Sequence, residues 1–381
     1  MKNILKFIQL FVLIVMAAGL CGFYMLSGSE LSGSSLIAFT NKSQPTLENY
    51  HKGIWTKAVK TRFDKRNIIS RRVIVPIHQT VFPKDVIRYS IPISIGSTDI
   101  ESMLDTGSPG IRVLPGTMHQ SDFVATNHIT SEHYGSGVLL KGVIARATVS
   151  VGGITSGMPI NIAAVETVKC DSQHPNCAAS HVSQQNYRIG GGSTGKGFKA
   201  IVGVNLAANG RVNNPLPELG VYKWIIILPR PGDTQPGALI LNPDKKDLTG
   251  YTLFQLDTAS SPHDGIPSTI TNLRTNKQVN GPAMLDTGAP GVHVVTNVPQ
   301  RRRLRFKVGD KGQISFTSQS GNLSPMTFTA SDKGAAHVKV SLPKKKQPNN
   351  GVYAGILPFF NYSVFYDSEH NIIGLKLRER H

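Results

Sequence analysis

Short apolar runs alternate with turn residues along most of this chain, but its first feature is continuous. Behind Lys2 and Lys6, an apolar stretch runs from Phe7 to Leu26, with Gln9 as its one strongly polar side chain. Twenty helical residues at ~1.5 Å rise each are enough to cross a bilayer core. Cationic residues before the run and polar ones after it predict a cytoplasmic N-terminus with the rest of the chain outside. Residues 1-26 therefore read as a signal anchor or a signal peptide. The absence of a clean small-x-small cleavage site favours the retained anchor. Leu20, directly before Cys21, stands where a lipoprotein signal needs a small residue. Residues 27-72 read as a flexible basic linker or a pro-segment: SGSELSGSSL is tether-like, and Asn41 to Arg72 carries nine Lys or Arg against Glu48 and Asp64.

From Val73 onward the pattern is that of strands. VIVPIH, YSIPISIG, KGVIARATVSVGG, KWIIIL, GALIL, YTLFQL, QISFT, HVKVSL and NIIGLKL are β-branched runs bounded by turn residues. No long stretch has helical periodicity, so an all-β body is expected. The content of 37 Gly and 23 Pro suits many short strands joined by turns. With 40% hydrophobic and 17% charged residues the chain is neither a disordered polyelectrolyte nor a multi-span membrane protein. Its 381 residues call for two or three domains, or one bilobal domain.

Charge and cysteine usage narrow the function classes. Lys and Arg number 41 and Asp and Glu 23, a formal charge of +18. Clusters at Arg301, Arg302, Arg303, Arg305 and Lys307 and at Lys344 to Lys346 add to the basic linker. Export and the lack of a nucleic-acid-binding motif argue against nucleic acid as a partner; solvated loops come first, anionic lipid second. Three cysteines exclude a disulfide-built scaffold and a Cys-rich zinc module. In an oxidising compartment Cys170 and Cys177 can close a short disulfide; the alternative is two free thiols. The twelve histidines form no metal-binding spacing, so no metal and no cofactor is expected.

One internal repeat carries the candidate chemistry. MLDTGSPGIRVL at residues 103 to 114 and MLDTGAPGVHVV at residues 284 to 295 agree at eight of twelve positions. Each copy is an apolar strand ending in Asp-Thr-Gly, which presents one carboxylate at a tight turn. The duplication implies two lobes built alike, each giving one acid: Asp105 and Asp286.

With this pair in place the chain resembles the pepsin-like aspartic proteases over most of residues 73 to 381, in the style of a bacterial membrane-anchored or secreted member. The resemblance implies a bilobal acid protease fold with a cleft between two pseudo-symmetric β lobes, 73-220 bearing the flap and 221-381. It carries Asp105 and Asp286 over as the catalytic acids. Thr106 and Thr287 would bond across the lobe junction, and Gly107 and Gly288 would let the backbone approach the carboxylates. HYGSGVLLKGVIARATVSVGG, His133 to Gly153, is similar to the flap hairpin, with Tyr134, Gly135 and Ser136 at its substrate-binding tip. FKAIVGV (Phe198 to Val204) and VYAGILPFFNYSVFYD (Val352 to Asp367) resemble the segments that cross under the two motifs.

Two acids sharing one water cannot both ionise cheaply, so one holds a proton while the other stays charged. The charged acid draws a proton from water, the neutral one bonds the scissile carbonyl, and hydrolysis proceeds without a covalent intermediate. Which acid holds the proton is a property of the pair. Two departures stand out. Ser108 follows the first Asp-Thr-Gly and can donate to Asp105, whereas Ala289 follows the second and cannot, which predicts a less acidic working range. Arg112 stands where the family usually has Trp beside the flap. The reading is thus an extracytoplasmic aspartic endopeptidase acting on an extended polypeptide, tethered to the membrane or secreted, and monomeric. The alternatives are an inactive pepsin-like peptide- or envelope-binding protein and, third, a serine hydrolase built on Ser193 of GGSTG. The polar SQQNYRI before Ser193 does not suit the buried strand of a nucleophile elbow. GGGSTGKG fails as a phosphate loop at Gly197.

Overall fold

A computed structural model describes residues 71 to 379 apart from 193–194, 208–209, 257–264, 319–320, 324 and 344–348. The apolar run Phe7–Leu26, most of the basic linker, Ser193 and the Lys344–Lys346 cluster lie outside the described residues. Among the described residues no helix is long and apolar enough to cross a membrane. The described chain belongs to one compact unit and is mostly strand, in two sheets.

The first sheet has fifteen strands and contains the first Asp-Thr-Gly motif. It begins with β1 (Val73–Phe82), β2 (Val86–Ile95), β3 (Thr98–Asp105) and β4 (Pro109–Val113), followed by the long pair β5 (Phe123–His133) and β6 (Val138–Ala147). Period-2 burial is visible in β2, where Ile87, Tyr89, Ile91, Ile93 and Ile95 point into the core. Five strands from the C-terminal half join the same sheet, because Gly237–Leu241 pairs antiparallel with β1 from Val73↔Leu241 to Ile77↔Gly237. Tyr362–Asp367 is buried throughout, and its Tyr366 ring stacks on the fully buried Trp224 at 5.5 Å. The second sheet has eight strands between Gly265 and Gly355 and contains the second motif.

The same local arrangement surrounds both motifs. Ala200–Val204 runs parallel to β3 (Gly203↔Asp105) and antiparallel to β4 (Gly203↔Gly110), filling the space between the two arms of the first loop. Gly351–Gly355 runs parallel to Lys277–Leu285 (Leu285↔Gly355) and antiparallel to Val292–Val295 (His293↔Tyr353). The crossing segments seen in the sequence thus flank both loops, for a simple physical reason. AIVGV is buried at every residue and GVYAG at all but one, and such runs are stable only between two other strands.

Cys170 and Cys177 form a disulfide with 5.5 Å between Cα atoms, at the end of Ile160–Cys170, the strand that pairs with β6. Cys170→Ser is expected to cost about 2–3 kcal/mol, the entropy of one short closed loop. Urea unfolding with and without reductant checks this: reductant should destabilise the parent chain and leave the variant unchanged. Arg301, Arg302 and Arg303 are exposed in the last turn of the short helix Val298–Leu304, where they oppose the negative end of its dipole.

Candidate active site

Both Asp-Thr-Gly loops emerge at the junction of the two halves, and their threonines bind each other's strands. Thr106 Oγ1 donates to Leu285 O at 2.7 Å and accepts from Thr287 N at 3.0 Å. Thr287 Oγ1 donates to Leu104 O at 2.7 Å and accepts from Thr106 N at 3.0 Å. Thr106 and Thr287 are buried. Four hydrogen bonds across 179 to 183 residues of chain therefore hold the two loops in one geometry.

The carboxylates follow from that clasp. Asp105 ends β3, buried, with Oδ1 accepting from Gly107 N at 2.8 Å and Oδ2 accepting from Ser108 Oγ at 2.7 Å. Asp286 Oδ1 accepts from Gly288 N at 2.8 Å, and Ala289 adds no side-chain donor. Each glycine lies against the acid of the other loop. A Cβ on Gly107 would stand 2.5 Å from Asp286 Oδ1, and one on Gly288 would stand 2.7 Å from Asp105 Oδ1 and 3.0 Å from Asp286 Oδ1. Only glycine leaves room for the two carboxyls to face each other within reach of a shared proton.

The two acids are not equivalent. Burial, reinforced by the charge of Asp105, raises the Asp286 pKa far above the ordinary carboxyl range. The Gly288 N–H and the charge of Arg88 oppose that shift without reversing it. Asp286 keeps some exposed surface, yet its carboxyl is crowded by protein, and this crowding removes the water that would stabilise its charge. Asp105 instead has donors on both oxygens. Burial and its neighbour's charge thus favour the neutral form of Asp286.

Tyr134, Gly135 and Ser136 sit in the turn between β5 and β6, closed by Tyr134 N to Val138 O at 2.9 Å and Gly137 N to Tyr134 O at 2.9 Å. The hairpin's first arm is Phe123–His133, so it lies further upstream than the span His133 to Gly153 drawn from the sequence. Tyr134 packs against an apolar cluster containing Met103, Leu140, Ile189 and Phe198. Its hydroxyl is sealed from solvent with no hydrogen-bond partner among the described residues, and burial pushes its pKa well up. Arg112 is buried on β4, donating Nη2 to Glu132 Oε2 at 2.7 Å and Nη1 to Pro109 O at 2.8 Å. Burial would lower its pKa, but attraction from Tyr134 and Glu132 outweighs this and the net shift is upward. The arginine thus ties the loop after Ser108 to the Phe123–His133 arm by an ion pair.

Sequence reading missed three contributors. Asn205, buried after AIVGV, donates Nδ2 to Thr106 O at 3.1 Å; a polar residue directly after a wholly apolar strand is the signal it left. Glu132 is legible only as one acid among many until Arg112 is placed beside it. Arg88 is the third, and its electrostatic reach extends to both Asp105 and Asp286. Asp367, Glu369 and His370 bring three ligand atoms within 4.8 Å of one another. However, Asp367 already accepts from Glu369 N, His370 N and His370 Nδ1, with Lys223 Nζ at 3.5 Å. A cavity of about 700 Å³ opens beside Ile225, Ile240 and Tyr251, and neither acid of the pair lines it.

No family model and no curated protein sequence matches the chain. Among solved structures it is similar to an aspartic proteinase from Irpex lacteus, at 14% identity and a TM-score of 0.52. The match covers 81% of this chain and 98% of that one. At this identity the likeness is one of fold.

Proposed function

We propose that this chain is an aspartic endopeptidase that hydrolyses extended polypeptides with a water activated between Asp105 and Asp286. The single observation that carries the reading is the pairing of the two acids, one with donors on both oxygens and one held protonated by burial and its neighbour's charge. Ionised Asp105 takes a proton from the water as it attacks the scissile carbonyl, while protonated Asp286 gives its proton to the carbonyl oxygen. The resulting diol collapses as a proton passes to the leaving nitrogen, and the clasped loops keep both carboxyls fixed throughout. The flap turn at Tyr134 is the element suited to cover a bound peptide. The disulfide and the apolar run Phe7–Leu26 support action outside the cytoplasm, with that run as tether or signal.

The test is cleavage of an unstructured polypeptide by the full chain over a pH series. Only the singly charged pair is active, so activity should fall at low pH where the pair carries no charge. At the other end it should fall as Asp286 loses its proton, and the raised Asp286 pKa sets that limb above the ordinary carboxyl range. A statine-type mimic of the diol should inhibit throughout. Absence of cleavage across the series, or cleavage insensitive to such a mimic, would leave the pepsin-like binding protein as the better reading.

A further inference from the structure

Arg88 is a cation that forms no ion pair among the described residues, on the strand beside the one that ends in Asp105. It lies on β2, and a methyl group placed on Gly190 would stand 3.2 Å from both Arg88 Cγ and Met103 Sδ, so these three residues meet. Met103 is two residues before Asp105 on β3 and belongs to the apolar cluster against which the flap residue Tyr134 packs. The Arg88 stem therefore packs against Gly190 and Met103, on the strand that pairs with the one ending in Asp105. Among the described residues its one hydrogen bond runs from Nη1 to its own neighbour, Ile87 O, at 3.3 Å. Nε is sealed from solvent with no partner, and no acidic side chain forms an ion pair with Arg88 among the described residues. Burial pushes its pKa down while Asp286 and Asp105 pull it back from a distance, and a guanidinium stays protonated under both influences.

Desolvated charges in proteins are ordinarily paired, and a guanidinium with unused donors matches a carboxylate better than any other common group. Neither acid of the pair fills that role, because neither forms an ion pair with Arg88. Resting on the proteolytic reading, we propose that Arg88 determines specificity by receiving a carboxylate of the substrate close to the scissile bond. That carboxylate belongs to an Asp or Glu side chain or to the C-terminus of the peptide.

The experiment uses full-length protein and peptides of one parent sequence, with Glu or Gln placed at each position around a fixed cleavage site. Each peptide is prepared with a free and an amidated C-terminus. At one position kcat/KM should favour Glu over Gln by about tenfold, the worth of one charge-assisted hydrogen bond. If the terminal carboxylate is the ligand, the free-acid peptide should be favoured over its amide by the same factor. Arg88→Gln should erase the preference, and Arg88→Lys should retain part of it. Equal handling of all pairs by the parent chain overturns the proposal without any variant. So does an Arg88→Gln variant that slows Glu and Gln peptides equally, since Arg88 then acts only on the acid pair. If nothing is cleaved, it is the hydrolytic reading that fails. Fluorescence polarisation of the same peptides still decides the matter: a carboxylate preference lost in Arg88→Gln supports the receptor, and indifference overturns it.

Discussion

Asp105→Asn and Asp286→Asn variants are each expected to cleave peptides about a thousandfold more slowly than the parent chain, or worse, while remaining folded. At position 105 an amide cannot accept the proton of the attacking water, and its NH2 would meet either the Gly107 N–H or the Ser108 hydroxyl. At position 286 the geometry is more permissive. One oxygen accepts from Gly288 N, and the other side of the group faces Asp105, so an amide fits in the shape of the protonated acid but has no proton to give to the carbonyl oxygen.

That fit has a consequence for stability. Asp286 binds its proton more tightly folded than unfolded, because burial and Asp105 raise its folded pKa. Its contribution is fully present below the unfolded carboxyl value and is lost as pH rises through the raised one. Asp286→Asn removes this loss. Thermal melts at about pH 4 and about pH 8 should show the variant gaining on the parent chain as pH rises. A variant that instead lost ground with rising pH would mean that the pair's proton does not reside on Asp286.

Thr106→Val and Thr287→Val are expected to be the most damaging conservative changes for stability. Valine keeps the shape and deletes the hydroxyl. Each change strands two buried backbone groups: Leu285 O and Thr287 N for Thr106, Leu104 O and Thr106 N for Thr287. At about 1–3 kcal/mol for each buried group left unpaired, either variant should lose about 2–6 kcal/mol in urea unfolding. The two should be non-additive when combined, since they share one cluster. Thr269→Val serves as the control: Thr269 Oγ1 bonds Asn280 Oδ1 at 2.9 Å in an exposed pair, and its loss should stay within about 0.5 kcal/mol. Threonine variants no worse than this control would mean that the clasp is dispensable.

Much of the fold was legible because its signals are local. Runs such as YSIPISIG carry the period-2 burial that β2 shows, and AIVGV and GVYAG announced by continuous apolarity that strands would flank them on both sides. The hairpin around Tyr134 begins one arm earlier than the span drawn from the sequence. Phe123–His133, with its mixed polar sequence and largely exposed side chains, has no core face to betray it; it is a strand because β6 pairs with it. Arg112 was read as a departure. Its partner Glu132 is twenty residues away in an equally polar stretch, and only packing identifies the pair.

The sequence by itself determined that two like loops would each present an aspartate at a glycine turn. A strand end, a turn and a repeat are properties of neighbouring residues, and they need no knowledge of the rest of the chain. Only the tertiary structure decided that Thr106 and Thr287 exchange hydrogen bonds across 181 residues, that Asp286 is the acid driven toward its neutral form, and that Arg88 packs beside Met103 with its Nε unpartnered among the described residues. Those outcomes depend on which surfaces lose water when distant segments close on one another, and no local pattern encodes desolvation.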